Sequence, residues 1–173
     1  GLEESIYLRL VSVPWDIPFS LPEGYQPAPG QGCMLRKGTD AAIIAYGPIT
    51  LSESFRAAEA LEKEGLSVAV INLPWLNAVD GEWLEAALTS IPFVVSVDNH
   101  YTEGGQGDTL ASALAQLPAP QQRQLLKLGV NGIPVSGAHD EVLRHHGLNA
   151  EGISLAVKAL IGARAQPKLR ARA

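Results

Sequence analysis

Apolar positions recur along the chain in two alternating registers. Residues 41–47, "AAIIAYG", form an unbroken apolar and β-branched run closed by Gly47, the pattern of a strand buried on both faces. Residues 50–64 then place Leu51, Phe55, Ala58 and Leu61 at helical spacing, and Gly65 is suited to end that helix. The cycle repeats. Residues 67–73, "SVAVINL", predict a strand. Asp80 predicts the N-cap of a helix carrying Trp83, Leu84, Ala87 and Leu88. Residues 93–97, "FVVSV", predict the next strand, followed after a glycine-rich turn by a helix over 107–117. Residues 125–130 predict the last strand, and two closing helices flank Gly147. Short strand candidates precede the series at 33–37, "CMLRK", and at 6–10, "IYLRL".

Alternating strands and helices imply a parallel sheet with crossover helices on both faces. The expected fold is therefore α/β, a three-layer α/β/α sandwich around a mostly parallel sheet of about five strands. Between the first two strand candidates lie Pro14, Pro18, Pro22, Pro27 and Pro29, with Trp15, Phe19 and Tyr25 among them. Proline blocks helix and removes donors, so this stretch reads as an extended linker, and its aromatics as the means by which it packs. The organisation expected is the end of a preceding domain at 1–14, a linker at 15–32, the α/β domain at 33–162 and a basic tail at 163–173.

Composition narrows the function classes. Hydrophobic residues make up 46% and charged residues 18% of the 173, enough for one well-packed core. The net charge of −5 argues against nucleic acid as the main partner, and no apolar run is long enough to span a bilayer. The basic cluster of Arg164, Lys168, Arg170 and Arg172 reads as a frayed terminus. The single cysteine, Cys33, rules out an internal disulfide and suits a reducing, cytoplasmic compartment.

Candidate chemistry concentrates at 96–115, "SVDNHYTEGGQGDTLASALA". His100 follows a strand's carboxyl end, where open α/β sheets place their crevices, and Asp98 is two residues away. Gly104, Gly105 and Gly107 form either a tight strand-to-helix turn or an anion cradle. A dinucleotide fingerprint is not complete, because Leu110 stands where its third glycine belongs. His139, His145 and His146 share one helical stretch, but adjacent histidines face different ways and make no metal site. Arg9 lies on a strand candidate cut off from any sheet, which points to another domain.

The stretches "KGTDAAIIAYGPITLSESFRAAEALEKEGLSVAVINLPWLNAVD", "VVSVDNHYTEGGQGDTLASALA" and "GLNAEGISLAVKAL", in that order, resemble the C-terminal domain of transketolases and their relatives. The acid-x-His arrangement at Asp98 and His100 resembles transketolase and deoxyxylulose-phosphate synthase, while the beta subunits of 2-oxoacid dehydrogenases share the domain. The resemblance implies a parent enzyme that uses thiamine diphosphate and Mg²⁺ to transfer ketol units between sugars. It implies that both are bound by N-terminal and pyrimidine-binding regions, supplied by another part of the chain or a partner subunit. The only Gly-Asp is Gly107–Asp108, and the family's G-D-G…N motif is not found here. Within this chain the resemblance implies no catalytic residue. It makes Arg9, Asp98 and His100 substrate-rim candidates in a homo- or hetero-oligomer. Arg9 matches the first of two arginines that bind substrate phosphate in transketolases; Ser12 stands at the second, and Asn99 replaces the second acid before the histidine. A stand-alone α/β module that binds a partner protein or a small anion at Gly104–Gly107, and an enzyme using Asp98 with His100, are the other readings.

Overall fold

The computed structural model describes residues 5–118 and 123–165. Five strands form one sheet: β1 (Cys33–Arg36), β2 (Ala41–Ala45), β3 (Val68–Asn72), β4 (Phe93–Tyr101) and β5 (Gln124–Val130), in the order β1-β3-β2-β4-β5. β2 pairs in parallel with both β3 and β4, β4 pairs in parallel with β5, and only β1 is antiparallel, against β3. The central strands β2 and β3 are buried at every residue, which is why they read as continuous apolar runs and not as alternating ones.

Helices cover both faces. α1 (Pro48–Lys63) and α5 (Ala150–Ala165) lie on one side, where Leu51, Ala58, Leu61, Ile153 and Val157 meet Ile43, Val70 and Val95. α2 (Gly81–Ala87) and α3 (Gln106–Gln116) lie on the other, where Leu84, Leu88, Leu110 and Leu114 meet Ile44, Ile71 and Val94. The short α4 (His139–His145) precedes α5. This is the α/β architecture that the alternating pattern predicts.

Local signals act as expected at several ends. Asp80 caps α2 by accepting from the Trp83 amide at 3.0 Å, and it also accepts from Gln31 Nε2 at 2.8 Å. These bonds hold its carboxyl below the usual carboxylate range. Gly65 sits at φ +86 just past Glu64, the C-cap of α1. On α1, the buried Glu53 accepts from the Ala150 amide at 2.8 Å, so it ties the start of α5 to α1.

Two expectations need correction. Residues 6–10 are not a strand: Ile6, Tyr7, Leu8 and Leu10 are 61%, 91%, 73% and 79% exposed and pair with no sheet edge among the described residues. An apolar run takes up ladder hydrogen bonds only where a neighbouring strand offers them. The strand expected over 93–97 continues to Tyr101, because Tyr101 still pairs with Val130 beyond a register shift. The basic tail lies outside the described residues, except that α5 extends through Ala165.

The proline-rich segment lies along the domain. Phe19 packs on the α1 side of the core, with its ring centroid 6.0 Å from that of Phe55. Arg56 donates to the Asp16 carbonyl and carboxylate, each at 2.8 Å. The exposed ion pair contributes little; the aromatic contact carries the attachment. Phe19→Ala should therefore make residues 15–24 rapidly cleavable by protease and lower stability by about 2 kcal/mol. Unchanged cleavage would show that the segment is held by something other than its aromatics.

Candidate functional site at the carboxyl edge of the sheet

Chain direction defines the site. From β2 the chain crosses to β3 on one side, and from β3 it crosses back over β2 to β4. The carboxyl ends of β2 and β4 thus flank a topological switch point, where α/β sheets open their crevices. Tyr46 and Gly47 leave β2 here, and Asp98, Asn99 and His100 lie in the last part of β4.

Asp98 organises this edge from beneath. Its side chain is fully buried; Oδ1 accepts from the Gln106 amide at 2.9 Å and from the Tyr46 hydroxyl at 3.1 Å, and Oδ2 accepts from the Gly107 amide at 3.0 Å. The N-cap of α3 is Gly105, which has no side chain to offer, so Asp98 caps the helix from the neighbouring strand. Gln106 adds a second anchor: its Nε2 donates to the carbonyls of Leu73 at 2.7 Å and Trp75 at 2.9 Å, beyond the end of β3. Burial, and then the charge of Asp98, push the Tyr46 hydroxyl far above the usual tyrosine pKa, so Tyr46 stays a neutral donor; the positive charge of Arg9 opposes that rise.

The loop glycines take separate tasks. Gly104 has φ +71, a conformation that favours glycine. Its amide donates to Asp108 Oδ2 at 2.7 Å, and Asp108 is also ion-paired with Lys127 from β5. Lys127, and then the Gly104 amide, hold the Asp108 carboxyl below the usual range. Gly105 is in extended backbone, but a Cβ there would sit 2.8 Å from the Tyr101 carbonyl oxygen. At Gly107 a Cβ would meet Ser96 Oγ at 2.7 Å, so this glycine lets α3 approach the sheet. The amides of Gly104, Gln106 and Gly107, which an anion cradle would use, are occupied by Asp98 and Asp108. The loop is built as a strand-to-helix turn.

The three rim candidates therefore separate. Asp98 lies below the surface, and within this chain it makes no rim. His100 is exposed, with its ring edge-on to Tyr101 at 5.7 Å between centroids. No hydrogen bond joins Asp98 to His100 among the described residues, so the structure does not assemble them as an acid/base pair. Arg9 is exposed and donates through Nη1 to Asn99 Oδ1 at 2.7 Å, which brings the isolated N-terminal segment onto the switch point. Sequence reasoning missed Tyr46 and Gln106. The one signal for Tyr46 was a hydroxyl at the carboxyl end of an otherwise apolar strand.

Beside this edge, Tyr101, Thr102, Glu103, Val130, Asn131 and Gly132 line an open cleft of about 360 Å³. Among the described residues, no group of three or more His, Cys, Asp or Glu side chains is placed to hold a metal, and no helix is long and apolar enough to cross a membrane. His145 and His146 stack edge-on at 4.9 Å between centroids.

Comparison with known proteins now fixes the family. Residues 30–153 match the model of the transketolase C-terminal domain. The chain belongs to the transketolase C-terminal domain family. It is 32% identical over 148 residues to one of the subunits of the apulose-4-phosphate transketolase of Actinobacillus succinogenes, covering 86% of this chain and 47% of that protein. It is 36% identical over 146 residues to 1-deoxy-D-xylulose-5-phosphate synthase of a Synechococcus species, covering 82% of this chain and 22% of that enzyme. Among solved structures, a split-gene transketolase in an inactive beta4 tetramer superposes with a TM-score of 0.74 at 28% identity, over 84% of this chain and 47% of that one. The chain thus spans at most about half the length of these relatives.

Proposed function

We propose that this transketolase C-terminal domain works as part of a thiamine diphosphate-dependent enzyme that transfers ketol units between sugars. In that enzyme it would support an oligomeric core and form one rim of the active site, in the cytoplasm. The observation that carries this reading is the N-terminal segment. Ile6, Tyr7, Leu8 and Leu10 are exposed apolar side chains, and Arg9 among them is fixed to the carboxyl edge of the sheet through Asn99. An exposed apolar strip of this kind marks a surface for a second body, and that body would meet the domain beside Arg9 and His100. The missing body would be the pyrimidine-binding region, on the same chain or on a partner subunit, as in a relative named as one subunit of a transketolase. A 2-oxoacid dehydrogenase beta subunit or a deoxyxylulose-phosphate synthase would use the domain in the same position.

The cofactor does not fit this chain's own residues. The only Gly-Asp pair lies within α3, where Asp108 is engaged by Lys127 and by the Gly104 amide. Thiamine diphosphate and Mg²⁺ would be held by the N-terminal and pyrimidine-binding regions, and no catalytic step is assigned here. The contribution of this chain is positional: Arg9 offers a cation and His100 an exposed imidazole at the mouth of the switch point.

Mixing the chain with its upstream region, thiamine diphosphate and Mg²⁺ should give ketol transfer that neither piece shows alone. In the reassembled enzyme His100→Ala should leave the fold intact, because the ring is exposed. It should raise KM by roughly five- to thirtyfold, the scale of one lost hydrogen bond to substrate. A mixture that transfers no ketol unit would overturn the reading.

A further inference from the structure

Asn131 and Gly132 follow directly on β5. Of the asparagines at 72, 77, 99, 131 and 149, only Asn131 precedes a glycine. Residues 131–141 are exposed throughout, and a Cβ at Gly132 would meet nothing within 4 Å. The Gly132 nitrogen is thus open to water and unshielded by a side chain, and among the described residues no acceptor takes its hydrogen. The Asn131 amide beside it is oriented: Thr102 Oγ1 donates to Asn131 Oδ1 at 2.6 Å. Thr102 is itself fixed, since its amide donates to the Val130 carbonyl at 3.2 Å and its carbonyl accepts from Lys127 Nζ at 3.1 Å. With Oδ1 engaged, Nδ2 is the end of the amide left to water. The arrangement at Asn149 is the opposite one. There the following amide, that of Ala150, already donates to Glu53, and Asn149 Oδ1 accepts from Gly152 at the start of α5.

We infer that Asn131 is a deamidation site and that Thr102 is a positioning residue that speeds the reaction. The Gly132 nitrogen loses its proton to hydroxide and bonds to Asn131 Cγ. The carbonyl electron pair moves onto Oδ1, where the Thr102 hydroxyl donates to the forming oxyanion. As the oxyanion collapses, the Cγ–Nδ2 bond breaks, and Nδ2 takes a proton from water and leaves as ammonia. The succinimide that remains is opened by water at either carbonyl, to aspartate or to isoaspartate. Water is consumed, ammonia is released, and no atom changes oxidation state. The new carboxylate lies with Glu103 in the cleft lined by Tyr101 and Val130. That this edge is an active-site rim rests on the ketol-transfer reading; the chemistry at Asn131 does not.

Ageing the full 173-residue chain at mildly alkaline pH, with peptide mapping by mass spectrometry, tests both claims. Asn131 should convert first, and faster as the pH rises, because the Gly132 amide must lose its proton. Thr102→Val should slow the conversion by about fivefold, the scale of one net hydrogen bond. Thr102→Ser should restore it. In urea the unsubstituted chain and Thr102→Val should react alike, since only the fold brings Thr102 to Asn131, 29 positions away. Conversion at Asn77 or Asn99 ahead of Asn131 overturns the site. A Thr102→Val rate equal to or above that of the unsubstituted chain, or a difference that persists in urea, overturns the role of Thr102. None of these readouts needs ketol transfer, so their failure is distinct from failure of the functional reading.

Discussion

Asp98→Ala should lower the stability of the domain by about 3–5 kcal/mol, the largest loss expected from any side chain at this edge. Three donors converge on that buried carboxylate: the amides of Gln106 and Gly107 and the Tyr46 hydroxyl, at 2.9, 3.0 and 3.1 Å. Alanine leaves all three without a partner in a dry site, and it removes the negative charge from the N-terminus of α3. The Asp98→Asn variant would keep one acceptor for Tyr46 and Gln106 but turn an NH₂ toward the Gly107 amide, donor against donor. Its expected loss is about half as large. Urea unfolding of both variants, with His100→Ala as the exposed control, checks the order. If Asp98→Ala loses less than about 1 kcal/mol, water already solvates the start of α3 and the cap assigned here is wrong.

This role bears on what was legible in the sequence. The sheet and its helices followed from the two periodicities, because β2 and β3 are long enough, and apolar enough, to be read as buried strands. Asp80 was legible as a cap because it stands directly before its helix. Asp98 was not, because it acts across a gap: it belongs to a strand, and the helix it caps begins eight residues later at Gln106. Its acidic character beside His100 pointed to chemistry, while its burial serves folding. The segment at 6–10 misled in the opposite sense. Its strand-like pattern is real, but the backbone partner that would make it a strand is not among the described residues. Asn99 showed only as a departure from a pattern, and its contact with Arg9 depends on folding that joins residues 90 positions apart.

Gly105→Ala should lower stability by about 2–3 kcal/mol, and for a reason that backbone conformation does not supply. Positive φ belongs to its neighbour: Gly104 has φ +71, whereas Gly105 has φ −86 and ψ −175, which any residue adopts. What Gly105 lacks is room. A methyl group would lie 2.8 Å from the Tyr101 carbonyl oxygen and 3.0 Å from both Cγ and Oδ1 of Asp98. The first of these atoms is backbone in β4, and the others belong to the carboxylate that caps α3, so relief requires moving the strand or breaking the cap. At Gly104 a methyl group would meet nothing within 4 Å, and the strain of left-handed backbone is the only penalty, about 1 kcal/mol. The order of the two variants is thus the reverse of the order that φ alone would give. Since Gly105→Ala acts partly through Asp98, combining it with Asp98→Ala should cost about 1 kcal/mol less than the sum of the two. Additive losses, or a Gly104→Ala variant less stable than Gly105→Ala, would show that the start of α3 is held by the turn and not by the carboxylate beneath it.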